Sequence, residues 1–237
     1  DQELPKSQPC LTNDAFCRPV CQCYSAYAGA DCSLTQAEMT SNRQLREDLC
    51  VNLNKTIAMQ DVELSVVSAR ATSIADILAD LTQVSDTALV TCVSVLSQTV
   101  LGSPDLVGDR VTASMVAAAL SNVLEKGNGL TGSVRTAAEI SLSALTVGVQ
   151  STLAVGEEPI SIFTEAVRVV ASLQSEESLK NAPPLTIPLT DFETFEGFLA
   201  PSLQINDTQG TAIGALGLTL MKLKREEGGR KSGNASS

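Results

Sequence analysis

The sequence lacks histidine and tryptophan altogether, and aromatic residues make up only 3% of its 237 residues. Histidine is the usual general base near neutral pH, a common zinc ligand and the partner of most Ser or Cys nucleophiles. Its absence removes the residue type on which many hydrolases and metalloenzymes depend. We therefore expect a protein that is not an enzyme, with no cofactor and no catalytic or metal site.

Positive charge and long apolar runs are also scarce. The formal net charge is -11, so the chain cannot neutralise a series of phosphates, and we expect no nucleic-acid partner. No apolar run reaches the roughly 18 to 20 residues that a membrane-spanning helix requires, so we expect no membrane insertion. The chain begins at Asp1 without Met, which favours an extracellular protein from which a signal peptide has been removed.

The longest uniform stretch, 65–155, consists largely of Ala, Ser, Thr, Val and Leu, with Pro104 as its one proline. Apolar residues recur every three or four positions there, the spacing that places them on one face of a helix. Two overlapping capping-box patterns predict that an earlier helix begins near Thr35. The expected bundle has about five helices, the first from Thr35 and the others over 61–82, 85–100, 109–125 and 133–155.

Beyond Gly156 the apolar period changes to two, which is typical of β-strands. The alternating runs cover 167–173, 185–189, 203–205 and 212–223. The predicted fold class is therefore α+β. It comprises a small disulfide-rich unit at 1–32, a helical subdomain at 33–158 and a small antiparallel sheet or sandwich at 159–224. The Gly, Ser and charge content of 225–237 predicts a disordered tail.

Five of the seven cysteines lie at the N-terminus, at positions 10, 17, 21, 23 and 32. Cys21-Gln22-Cys23, eight further residues and Cys32 resemble the second half of an EGF-like module, whose last three cysteines read C-x-C-x8-C. The loop Ala26-Tyr27-Ala28-Gly29 is similar to the family's Gly-aromatic-x-Gly stretch, with the first Gly replaced. The alternative is a metal site on the C-x-C, which no histidine and no second close cysteine pair supports.

The resemblance implies a disulfide pairing for this unit. EGF-like modules pair six cysteines first to third, second to fourth and fifth to sixth, and Pro5 stands where the first should be. Carried over, the pattern implies Cys10–Cys21 and Cys23–Cys32 bridges. It leaves Cys17 without its partner, either free or bonded to a neighbouring chain.

The two remaining cysteines, Cys50 and Cys92, fall on two predicted helices. In a secreted chain we expect a bridge between them, and two reduced core thiols are the alternative.

A second resemblance covers about 62–223. Ala75-Asp76-Ile77-Leu78-Ala79-Asp80-Leu81-Thr82, the run from Ile160 to Leu173 and Pro184-Leu185-Thr186-Ile187-Pro188-Leu189 are similar to the GAIN and REJ (receptor for egg jelly) extracellular domains of adhesion receptors and polycystin-like proteins. That family's self-cleavage needs a His-Leu/Ile-Thr/Ser step, which this sequence lacks. The resemblance therefore implies a related scaffold without autoproteolysis.

Three Asn-x-Ser/Thr sequons, at Asn54, Asn206 and Asn234, predict N-linked glycans. Asp191, Glu193 and Glu196 offer hard oxygen ligands of the kind that bind calcium. Because no spaced calcium loop surrounds these three acidic residues, we interpret them as a solvated acidic loop.

These features predict a secreted structural glycoprotein, a subunit of an extracellular fibre or coat that binds other copies of itself head to tail. Its EGF-like unit is reminiscent of protist mastigoneme-type subunits. The alternative is a cell-adhesion or recognition ectodomain of a receptor-like protein. An enzyme is the least favoured class.

Self-association is expected at the sheet. Four or five strands after Ile160 leave sheet edges that a strand from the next copy can complete. The candidate donors are the 1–9 arm and the 212–223 strand, and the alternative is a complete small sheet packed on its own helices. The residues assigned to assembly are Val167, Val169, Leu216, Leu218 and Leu220.

Overall fold

The computed structural model describes residues 22–126, 130–175, 184–189, 194, 199–200, 202–203 and 216–223. Within them the fold is α+β, as predicted. A small ribbon, β1 (Tyr27–Ala28) and β2 (Leu34–Thr35), precedes the helices α1 (Gln36–Ile57), α2 (Leu64–Leu78), α3 (Asp86–Gly102), α4 (Pro104–Val107), α5 (Arg110–Glu125) and α6 (Gly132–Ser151). The strands β3 (Ile160–Phe163), β4 (Val167–Gln174), β5 (Leu185–Thr186), β6 (Ser202–Leu203) and β7 (Leu216–Leu223) follow.

Side-chain caps fix where three of the helices begin. Thr35 accepts a hydrogen bond from the Glu38 amide, and the Glu38 carboxylate accepts one from the Thr35 amide, so the predicted capping box is confirmed. The hydrogen bonds from Thr35 also lower the pKa of Glu38. Ser85 caps α3 by accepting a hydrogen bond from the Ala88 amide. Asp109 caps α5 by accepting hydrogen bonds from the amides of Val111 and Thr112.

The five long helices form two layers. In one layer α3 lies between α1 and α6, and in the other α2 packs on α5. Aliphatic side chains fill the space between the layers, and the largest of them that are fully buried include Ile74, Leu78, Leu96, Leu120 and Leu142. Alanines such as Ala71, Ala88 and Ala117 are buried as well, so the helices approach closely.

The helix predictions need three corrections. The predicted helix over 133–155 ends earlier, at Ser151, with Thr152 as its C-cap. The predicted helix over 61–82 runs only from Leu64 to Leu78, because Asp80 caps a separate 3-10 turn at Leu81–Gln83. The short helix α4 was missed. Its signal was present, since Pro104 stands at a first helical position, where the lost amide would be unsatisfied in any case.

The main sheet has the order β3-β4-β7, with both pairs antiparallel. In the β4–β7 pair, Val167 lies opposite Leu223 at one end and Gln174 lies opposite Leu216 at the other. Val167, Val169 and Ala171 of β4 are fully buried in the core shared with the helices. The Ser121 hydroxyl of α5 accepts a hydrogen bond of 2.9 Å from the Ala166 amide, which ties the β3–β4 turn to the helical layer.

The opposite face of β4 is covered too, so the strands form a small two-layer arrangement. Val170 and Ser172 on that face are buried, and β5 lies against β4. Ile187, just beyond β5, is fully buried, and Arg168 donates a 3.3 Å hydrogen bond to the Pro188 carbonyl. The predicted 185–189 strand therefore has the correct apolar period but ends at Thr186, because Pro188 has no amide to donate.

None of the helices in the described ranges is long and apolar enough to cross a membrane.

Candidate functional site

The main sheet is open at both sides within the described residues. There, β3 and β7 each pair with β4 and with no other strand. The β3 edge is 4 residues long and the β7 edge is 8 residues long. An edge strand points alternate amides and carbonyls away from its sheet, where a further strand can bind them.

The residues assigned to assembly divide into two groups. Val167 and Val169 are core side chains with no exposed surface, and their strand is paired on both sides. Leu216, Leu218 and Leu220 lie on β7, which pairs with β4 of the same chain. The candidate donor 212–223 is therefore already used within the chain from Leu216 onward, and any strand-to-strand contact between copies has to use the outer edges. The 1–9 arm lies outside the described residues.

A disulfide loop forms a second candidate site at the N-terminal end of the described chain. The implied Cys23–Cys32 bridge is confirmed and closes this loop, in which Gly29 adopts a φ of 95°. Both tyrosines of the sequence lie in it, and Tyr24 is 84% exposed and Tyr27 47% exposed. Tyrosine is enriched at protein interfaces because it combines a broad apolar ring with a hydroxyl group.

Hydrogen bonds hold this loop against the start of α1. The Gln36 amide donates to the Ala26 carbonyl, and the Gln36 side chain donates to the Tyr27 carbonyl at 3.0 Å. The Ser33 hydroxyl and amide donate to the carboxylate of Asp31, which lowers the pKa of that group. The loop is thus positioned by α1. The other cysteines of the EGF-like unit, Cys10, Cys17 and Cys21, lie outside the described residues.

The predicted Cys50–Cys92 disulfide is confirmed. It joins α1 to α3, and both cysteines are fully buried.

A cluster of connected polar side chains lies where α1 crosses the α2–α3 connection. Arg46 donates to the Ile77 carbonyl at the end of α2, and Arg43 donates to the Thr82 carbonyl at 2.9 Å. The Glu47 carboxylate accepts a 2.7 Å hydrogen bond from Ser85, the cap of α3. This cluster was not identified from the sequence, because its partners are about 31 to 39 positions apart.

Asp80 belongs to the same polar cluster. Burial of the Asp80 carboxyl opposes its ionisation, but hydrogen bonds from Thr82 and Gln83 and the charge of Arg46 outweigh that effect, so its pKa is lowered. The Asp80 carboxylate accepts hydrogen bonds from its own turn, which is the arrangement of a capping residue. The cluster therefore stabilises the connection between α2 and α3.

Arg70 on α2 is a buried cation. Its guanidinium donates a 3.1 Å hydrogen bond to the Gln60 side chain, and its Nε has no hydrogen-bond partner within the described residues. Burial lowers the pKa of Arg70.

Among the residues that the structure describes, no group of three or more His, Cys, Asp or Glu side chains could hold a metal ion. The acidic loop residues Asp191, Glu193 and Glu196 lie outside them, as do the sequons at Asn206 and Asn234. Asn54 is exposed on α1, where a glycan has room.

Comparisons with protein families, with curated proteins and with solved structures find no match to this chain.

Proposed function

We propose that this chain is a secreted, non-enzymatic glycoprotein that serves as a structural subunit of an extracellular fibre or coat, binding further copies head to tail. The observation that carries the proposal is the three-stranded sheet whose two outer strands, β3 and β7, pair only with β4 in the described ranges.

The two open edges differ, and this difference favours a chain of subunits over a closed dimer. Joining the β7 edge of one copy to the β3 edge of the next repeats one heterologous contact, which propagates when it does not close into a ring. Backbone hydrogen bonds provide the affinity in such strand addition, and side chains at alternate positions set the register.

Two further observations support an extracellular setting. The Cys23–Cys32 and Cys50–Cys92 disulfides persist in an oxidising compartment and are rare in reducing ones. Asn54 presents its sequon on an exposed position of α1.

Proline at two neighbouring β7 positions tests the edge contact. Leu218 and Thr219 oppose consecutive β4 residues, so one of their amides points toward β4 and the other points outward. We expect one of Leu218→Pro and Thr219→Pro to lower stability by breaking the β4 ladder. The other should keep the monomer fold but lose fibres in negative-stain microscopy and sedimentation.

The wild-type full-length chain is the reference for both proline variants, and circular dichroism with thermal unfolding identifies the folded one. If the folded proline variant forms the same fibres as wild type, or if purified wild type forms no assemblies, the head-to-tail proposal is wrong.

The alternative, a recognition ectodomain, is favoured by one observation: both tyrosines of the sequence are exposed on the Cys23–Cys32 loop. This function predicts that the purified chain stays monomeric and binds cell surfaces, and that Tyr24→Ser weakens this binding while leaving the fold intact. Flow cytometry with the labelled wild-type and Tyr24→Ser chains separates the two functions.

A further inference from the structure

Beyond their N-terminal parts, where Asp86 of α3 and Arg135 and Glu139 of α6 lie, the outer faces of α3 and α6 carry no charge. From Thr87 to Ser103 and from Ile140 to Gly156 the sequence has no Asp, Glu, Lys or Arg, although 18% of all residues are charged. Solvent-exposed helix faces of globular proteins are normally polar and charged. The uncharged parts of these two helices therefore depart from the pattern of a freely solvated surface.

These two faces lie on the same side of the molecule. α3 and α6 are direct neighbours in one layer, and each rests on the other layer, α3 on α2 and α6 on α5. The residues that α3 and α6 turn outward point away from that layer. Four aliphatic residues on this α3–α6 face are between 45% and 58% exposed: Val90, Leu101, Ile140 and Val147.

We propose that the α3–α6 face is a second self-association surface, which binds the same face of another copy around a two-fold axis. Two chains with a net charge of -11 repel one another, and the repulsion is weakest where neither surface carries charge. A different partner adapted to this acidic protein would gain from basic residues opposite acidic ones, and the part of this face beyond Asp86 and Glu139 offers none.

Size and side-chain volume fit this assignment. The exposed aliphatic residues alternate with small ones such as Ser94 and Ser143, so two helix pairs can approach closely. At about 1.5 Å of rise per residue and about 9 Å between axes, the uncharged parts of α3 (87–102) and α6 (140–151) offer a projected face of roughly 20 by 20 Å. This corresponds to a small, reversible contact that buries about 500 Å² per partner.

The inference extends the proposed function, because a lateral contact at the α3–α6 face would pair subunits or fibres side by side while the sheet edges join them end to end. It is nevertheless carried by a different observation, the neutral helix faces, and it predicts a dimer even in a chain that forms no fibres.

Charge substitutions at Val147 test the lateral contact. Sedimentation velocity of the purified full-length wild-type chain over a range of concentrations should show a reversible dimer. Val147→Glu and Val147→Lys should each raise the dimer Kd at least about 30-fold, since a charge would be buried without a partner. Val111→Glu is the matched control, because Val111 is an exposed valine at the start of α5, outside this face, and its substitution should leave the Kd unchanged.

Several outcomes would overturn the inference: a wild-type chain that shows no dimer, Val147 variants that dimerise as wild type, or a Val111→Glu variant that is equally impaired. Flotation of the chain with neutral phosphatidylcholine vesicles, lost in Val147→Glu, would assign the face to a lipid surface instead. The proline variants of β7 report on the head-to-tail contact separately, since they alter the sheet and leave the α3–α6 face intact.

Discussion

At Gly108 and Gly148 the backbones of α4 and α6 meet with no side chain between them. A Cβ atom placed on Gly108 would overlap the Gly148 carbonyl, and one on Gly148 would overlap the Pro104 carbonyl. The Thr152 hydroxyl also lies here and donates to the Gly108 carbonyl at 3.2 Å. Backbone atoms cannot rotate aside as a flexible side chain can, so this contact requires glycine on both sides.

We predict that Gly148→Ala lowers the free energy of unfolding by about 3 kcal/mol, the upper end of the usual range for overpacking. Gly102→Ala is the control. No described atom lies within 4 Å of a Cβ at that position, and it should raise stability by about 0.5 kcal/mol. Urea unfolding of both variants measures the difference, and equal midpoints would mean that α4 and α6 separate at little cost.

At the scale of the elements, α1 is held to the other helices by both covalent and polar contacts. The Cys50–Cys92 bridge joins its second half to α3, and Arg46 and Glu47 bind the connection between α2 and α3. Leu45 and Leu49 of α1, which share an apolar spacing with Leu53, are exposed, so burial of apolar area explains only part of the docking of α1.

Replacement of both Cys50 and Cys92 by Ala should lower the free energy of unfolding by about 4 kcal/mol, since the bridge closes a loop between residues 42 positions apart. Urea unfolding followed by circular dichroism provides the measurement. The double replacement of Cys23 and Cys32 by Ala is the comparison, and it should affect the N-terminal loop while leaving the helical transition nearly unchanged. A Cys50/Cys92 variant as stable as wild type would contradict the role of the bridge.

At the scale of the whole molecule, secretion predicts a glycan on Asn54. Intact-mass measurement of native material should show a loss of mass on N-glycosidase treatment. In Asn54→Gln, the part of that loss that comes from the Asn54 glycan should be absent. Asn52→Gln is the matched control, because Asn52 is exposed on the same helix but is not part of a sequon. A native chain whose mass does not change on treatment would contradict both the glycans and the secretory route.

The sequence by itself determined the types and order of the main elements. Apolar spacing located the long helices, the capping box at Thr35 and Glu38 gave the start of α1, and the change to a period of two located β4. The Cys50–Cys92 bridge followed from cysteine count and helix positions. The helices, the capping box and β4 are encoded by local sequence, and the disulfide is encoded by a residue type with few possible partners. The sequence alone is therefore enough to predict them.

Only the tertiary structure decided which surfaces are covered. Val167 and Val169 became core residues because β7 pairs with β4 and the helices lie beneath it. The Arg46 contacts, the glycine contact between α4 and α6, and the neutral α3–α6 face all join residues far apart in the chain. Periodicity specifies which residues share one face of an element, but the partner of that face depends on packing between elements, which no local pattern encodes.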